Sequence, residues 1–221
     1  MRSYELTTLR GSAADFHARP VPLPARPAVW VFDVGAPALV LGSSQATALA
    51  DAAACDAAGV EVVRRRSGGG AVLLEPGAVV WFDVVVPADV LRDIGLGDDV
   101  GRSMVWLGEH VAVALGALDV EAIAVHRRAM VATAWSRLVC FDGLGPGEIT
   151  TAGGKLVGIS ARRTRNASRF QCVVHVRWSP AALVELLAPP RPTPAELGPV
   201  ATLPADVARV LPGAVAAALG T

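Results

Sequence analysis

The chain has 221 residues, 52% of them hydrophobic and 18% charged, and its 20 basic and 20 acidic side chains leave a formal net charge of zero. That length supports one domain with a full core, and the apolar fraction excludes intrinsic disorder. The charge balance excludes the basic stripe of a nucleic-acid binder.

In chain order, MRSYELTTLRGSAADFHARP is polar and mixed in charge, with no apolar signal-peptide core. Residues 28–42 offer two strands, AVWVF and ALVLG, separated by the turn-like DVGAP. SQATALADAAACDAAG then reads as a helix, capped by Ser44 and closed by Gly59. VEVVRRRS reads as a strand and AVLLEPGAVVWFDVVVP as a hairpin turning at Glu75-Pro76-Gly77. Residues 98–117 have helical spacing after a cap at Asp98. Short strands are expected at 119–126 and 137–141, followed by a glycine-rich turn at Gly143–Gly147. LVGISARR and RFQCVVHV form a second hairpin around TRNAS. A helix at 180–187, the proline-rich PPRPTPAELGP and a helix at 204–219 complete the chain. Strands grouped with intervening helices predict an α+β fold, a mixed and largely antiparallel sheet with packed helices.

The apolar runs are broken by Asp83 or by glycine, far short of the roughly 20 residues that span a bilayer. Cys55, Cys140 and Cys172 form neither a disulfide framework nor a metal pair. A soluble, cytoplasmic protein without a structural metal, a membrane partner or a nucleic-acid partner is the expectation.

Two features point to chemistry. Of the 20 basic residues only Lys155 is a lysine, so it marks a place where a compact ammonium serves and a planar guanidinium does not. In RRRSGGGAV, consecutive glycines follow a strand and three arginines, a pattern that lets backbone amides and forked donors meet a carboxylate or phosphate. Familiar phosphate motifs are absent: Ile149 and Leu156 break GxxxxGK[ST] around Lys155, and GxGxxG fits only loosely. There is no HExxH or GxSxG, and His17, His110, His126 and His175 lack ligand spacing.

RRRSGGGAV followed about 90 residues later by GGKLVGISARR, with ALVLGSSQ before them, resembles the lipoate–protein ligase A and octanoyltransferase family. The resemblance implies a biotin/lipoate protein ligase catalytic fold over residues 1–188, with the proline-rich segment and last helix of 189–221 packed on the same domain. It implies first a ligase: lipoate or octanoate reacts with ATP and Mg²⁺, and a lysine of a lipoyl-domain protein attacks the acyl-adenylate. Lys155 matches the family lysine, Gly68, Gly69 and Gly70 the acyl-pocket loop, and Arg64 and Arg65 its arginine pair. Ser67, Gln45, Gly158 and Ser160 fall in the same motifs. Two departures stand out: the HDxGN-like segment of ligases is here LLEPGAV, and their frequent small second domain has no counterpart beyond the proline-rich tail. They raise an alternative, an ATP-independent transferase taking the acyl group from acyl carrier protein through a thioester on Cys140. Cys140 lies 15 residues before Lys155 in CFD, similar to one such branch; a buried core position is the competing reading. A non-catalytic lipoyl- or carrier-binding module is a further alternative.

Overall fold

Alternation along valine-rich strands sets the layers. The computed structural model describes residues 3–97 and 99–221. A seven-stranded sheet contains, in order, β1 (Glu5–Gly11), β2 (Ala28–Val34), β6 (Val79–Pro87), β10 (Ala167–His175), β9 (Gly154–Arg163), β8 (Ile149–Thr151) and β7 (Ala124–Val125). Only β1 and β2 run parallel; the other pairs are antiparallel. A second sheet places β3 (Ala38–Leu41) between β4 (Glu61–Arg64) and β5 (Val72–Leu74). Among the described residues six α-helices complete the fold: α1 (Ala13–Ala18), α2 (Ala52–Ala57), α3 (Ala88–Asp93), α4 (Val100–Gly116), α5 (Pro180–Glu185) and α6 (Ala205–Leu219). The mixed, mostly antiparallel α+β class expected from the sequence is what forms.

Side chains on β6 and β10 divide by period two. Phe82, Val84, Phe170, Cys172 and Val174 join Leu107, Val111, Leu211 and Val215 of α4 and α6 in one core. Trp81, Val85 and Val173 face the other way, toward Val40, Val72 and Leu74 of the small sheet. Beneath that sheet, Leu39, Leu41 and Leu73 pack on Leu183 and Leu187 beside α5. A cleft lined by residues of both sheets lies between them. Among the described residues, no helix is long and apolar enough to cross a membrane.

Several elements differ from the sequence expectation. β1 and α1 were not anticipated, because Glu5–Gly11 is an edge strand that pairs only with β2. The helix expected over 44–59 is divided into a 3-10 turn at Thr47–Leu49 and α2, capped by Asp51. Between them Ala50 is extended and bridges Leu187, with Asp51 N–H donating to Leu186 O at 2.9 Å. Tertiary pairing overrides alanine propensity there. Residues 71–87 do turn at Glu75–Ala78, yet they form no hairpin: β5 pairs with β3, and β6 with β2 and β10. The strand expected at 119–126 shrinks to Ala124–Val125. At 137–141, Val139 makes one bridge to Ala71 before a 3-10 turn at Cys140–Asp142. A cap at Asp98 lies outside the described residues; Asp99 caps α4, accepting from Arg102 N–H at 2.9 Å.

Candidate active site

The inner face of the large sheet changes polarity in three cross-strand rows. Gly158, Val173 and Trp81 form the first, Ser160, Gln171 and Asp83 the second, and Arg162, Arg169 and Val85 the third. Asp83 is wholly buried, ion-paired with Arg169 Nε and accepting from Trp81 Nε1 at 2.8 Å. Arg169 also donates to Phe16 O at 2.7 Å and Arg19 O at 2.8 Å, so the pair fastens α1 to the sheet. Ser67 Oγ spans the middle row, donating to Gln171 Oε1 at 2.6 Å and lying 2.9 Å from Ser160 Oγ.

The glycine loop is held from within. Arg65, 5% exposed, gives Nη2 to Gly68 O and Gly70 O, each at 2.8 Å, and Nη1 to Val40 O at 3.3 Å. It holds the loop's carbonyls and leaves the loop's amides unengaged. Gly68, Gly69 and Gly70 N–H groups donate to no described residue. Gly69 has φ +100°, and a Cβ there would lie 2.8 Å from Arg65 Nη2. A Cβ on Gly70 would meet the Val139–Cys140 backbone at 2.6 Å. Arg64, by contrast, is exposed, and Gln45 is spent on structure. Its Oε1 accepts from Gly42 N–H at 2.8 Å and its Nε2 donates to Arg137 O and Leu138 O. Neither lines the cavities described below.

Lys155 is aimed by an irregularity in β9. The register passes from Ile149–Val157 to Thr150–Lys155, leaving Leu156 as the extra residue of a bulge. Leu156 and Val157 therefore both enter the helix-side core, and Lys155 turns to the inner face with Gly158. Its Nζ donates to Cys140 O and Gly143 O, each at 2.9 Å, and pairs with Glu148 Oε2 at 2.6 Å. It also lies 4.9 Å from the Phe141 ring centre. Glu148, 4% exposed, accepts as well from Gly145 N–H at 2.7 Å and Ile159 N–H at 3.1 Å. Three acceptors for three N–H groups explain an ammonium at this position. The neighbouring Gly154 serves the fold: a Cβ there would stand 2.1 Å from Pro199 O.

Cys140 lies where two cavities meet. One is a narrow apolar cleft of only about 30 Å³, bounded by Val40, Leu74, Trp81, Phe141, Gly158 and Val173. The other, about 270 Å³, opens over Gly68–Gly70, Met104, Met130 and Glu148. Cys140, Ile159 and Ser160 border both. The thiol is partly exposed, 4.0 Å from Arg65 Nη2 and 3.6 Å from where a Gly69 Cβ would stand. The backbone carbonyl of the same residue is an acceptor of Lys155. Cys55 and Cys172 are buried away from these cavities, and burial raises both thiol pKa values.

Sequence reasoning missed Glu148, His17, Gln171 and Arg169. His17 stacks on Trp81 with centroids 4.4 Å apart, and its Nδ1 accepts from Gln171 Nε2 at 3.1 Å. Burial, then the charges of Arg65 and Arg169, lowers its pKa to about 3. Burial, with a lesser contribution from the Lys155 charge against an opposing backbone hydrogen bond at Arg177, lowers the His175 pKa to about 4. Both rings are therefore neutral in the folded protein below pH 6.5, where the unfolded chain takes up protons. Their contribution is complete above that pH and is lost as pH falls toward 4 and 3. Stability should decline by about 1.4 kcal/mol per pH unit for each ring below pH 6.5. Urea unfolding between pH 7 and 5 checks this: His17→Gln should flatten the slope by one proton, and an unchanged slope contradicts it.

Comparison with solved structures finds this architecture in lipoate ligases. A T. acidophilum protein assigned as a lipoate protein ligase, with bound lipoic acid, superposes with TM-score 0.74 at 18% identity, covering 98% of this chain and 86% of that one. A lipoate-protein ligase A bound with ATP gives 0.70 at 18% identity, covering 98% and 85%. A bipartite lipoate protein ligase of Thermoplasma acidophilum, studied with its E2 lipoyl domain, gives 0.63 at 15% identity, covering 99% and 84%. Among curated proteins nothing matches. The model of the lipoyl protein ligase A/B catalytic domain matches residues 21–211, and the chain belongs to that family.

Proposed function

We propose that this protein carries an octanoyl or lipoyl group as a thioester on Cys140 and passes it to a lysine of a lipoyl-domain protein. The carrying observation is the position of the thiol. It stands where a narrow apolar cleft meets an open one, beside unpaired amides of the glycine loop. The cleft is narrow as it stands, about 30 Å³, so in this reading its lining side chains move apart to admit the acyl chain, whose carbonyl carbon then meets the sulfur at the cleft mouth.

The chemistry balances without a cofactor. The Cys140 sulfur attacks the carbonyl of an incoming acyl thioester, the carbon–sulfur bond to the carrier breaks, and the carrier leaves as a thiol. The acceptor lysine amine then attacks the acyl-cysteine; an amide forms, and its proton goes to the released sulfur. Both steps build negative charge on the carbonyl oxygen; in this reading the Gly69 and Gly70 N–H groups, without acceptors among the described residues, receive it. Lys155 acts as a positioning residue in this reading. It holds the Cys140 and Gly143 carbonyls and so fixes the turn that carries the thiol.

The adenylate route is the second reading, supported by the similar ligase that binds ATP. Against it, Leu73 and Leu74 are buried in opposite cores. This stretch, where ligases carry HDxGN, therefore has no polar group to offer a nucleotide before Glu75. The test is acyl transfer to apo lipoyl domain, comparing octanoyl carrier protein without ATP against free lipoate with ATP and Mg²⁺. We expect product from the first mixture; product from the second alone overturns the proposal.

A further inference from the structure

A third cavity, about 230 Å³, opens on the cationic side of the inner face. Arg19, Arg66, Arg162 and Arg169 line it, and no carboxylate residue does. Arg169 is neutralised by Asp83, whereas Arg19, Arg66 and Arg162 have no ion-pair partner among the described residues. Two buried donors of this cleft also lack a hydrogen-bond partner among the described residues: Arg19 Nε and His17 Nε2. Because His17 Nδ1 accepts from Gln171, the proton of this neutral ring sits on Nε2. Buried donors without acceptors cost free energy, and such groups are ordinarily satisfied by water or a ligand.

We propose that this cleft binds a phosphate ester, with Arg66 and Arg162 as its main contacts and Arg19 and His17 beside them. A carboxylate engages one guanidinium fork. A phosphate offers three oxygens and up to two charges, which suits several converging guanidinium groups. Burial and the charges of Arg66 and Arg169 lower the Arg162 pKa from its ordinary value, consistent with cations gathered without a counter-charge. His17 and Gln171 border both this cleft and the apolar one. Ser160 and Arg162 are two residues apart on one strand, so the cationic row is about 7 Å beyond the middle row. One molecule can therefore reach from the mouth of the apolar cleft, past His17 and Gln171, to a phosphate in this cationic cleft. Two sources share this chemistry, a nucleotide and the phosphopantetheine arm of an acyl donor.

Calorimetry with 4′-phosphopantetheine, ATP and unphosphorylated pantetheine tests the proposal. At least one of the two phosphates should bind the native protein. In Arg66→Gln/Arg162→Gln its affinity should fall by about tenfold or more, as expected for loss of charge-assisted bonds. Arg66→Lys/Arg162→Lys should retain part of it. Binding of phosphopantetheine alone identifies an acyl-donor site, and binding of ATP alone a nucleotide site. Arg66 is exposed and Arg162 partly exposed, and thermal unfolding verifies that the variants fold. Cys140→Ser should bind the same phosphate unchanged, so the site is tested apart from the thioester chemistry. If neither phosphate binds, if pantetheine binds equally well, or if Arg66→Gln/Arg162→Gln retains full affinity, the proposal fails.

Discussion

Replacing Lys155 with methionine should lower stability by about 3–5 kcal/mol, because the Glu148 carboxylate is then buried without its counter-charge. Both side chains of the pair are 5% exposed, so water cannot take the place of the ammonium. The Cys140 and Gly143 carbonyls lose a donor in the same step. Adding Glu148→Gln should restore part of the loss, since a neutral amide is less costly to leave in place and can still meet nearby backbone groups. Urea unfolding of the native protein and the two variants measures this. Lys155→Arg keeps the charge, but its planar fork cannot match three acceptors arranged around a single nitrogen. It should therefore lose acyl transfer even where it folds. A Lys155→Met variant as stable as the native protein contradicts the account of this pair.

Cys140→Ser should reduce transfer from octanoyl carrier protein by at least about a thousandfold, in line with removal of a nucleophile that acts as part of a unit. A hydroxyl is isosteric enough to leave the turn at Cys140–Asp142 intact, because the backbone bonds there involve Ala71 and Lys155 and not the sulfur. Unfolding midpoints should therefore agree between the two proteins. If the reaction runs through an adenylate, the same variant keeps most of its activity with ATP and lipoate. Rates of lipoyl-domain modification under both conditions separate these outcomes.

The valine-rich strands and the α4 and α6 helices were legible from pattern, and composition singled out Lys155. Period-two alternation needs no partner to be read, so β6, β9 and β10 were found near their observed bounds. Pairing was harder. The Glu75-Pro76-Gly77 turn was evident, but nothing local says that β5 joins β3 while β6 crosses to another sheet. The direction of Lys155 was hidden for a related reason. Strict alternation places it with Val157 in the core, and only the bulge at Leu156 turns it to the cavity. Arg65 illustrates the limit at the site. Its charge beside three glycines suggested an anion, yet its guanidinium is spent on Gly68, Gly70 and Val40 carbonyls. The unpaired arginines lie instead at Arg19, Arg66 and Arg162, brought together from three separate segments. Glu148, next to a glycine-rich turn, gains its meaning only once the fold sets it against Lys155.

The most direct measurement is the intact mass of the protein after mixing with octanoyl carrier protein in the absence of ATP. The account predicts one added octanoyl group, mapped to Cys140, absent in Cys140→Ser and removed by hydroxylamine as a thioester is. On adding apo lipoyl domain, the mass should leave Cys140 and reappear on the acceptor lysine. An unmodified protein that nevertheless transfers the group, or that transfers it only with ATP and Mg²⁺, would contradict the central claim.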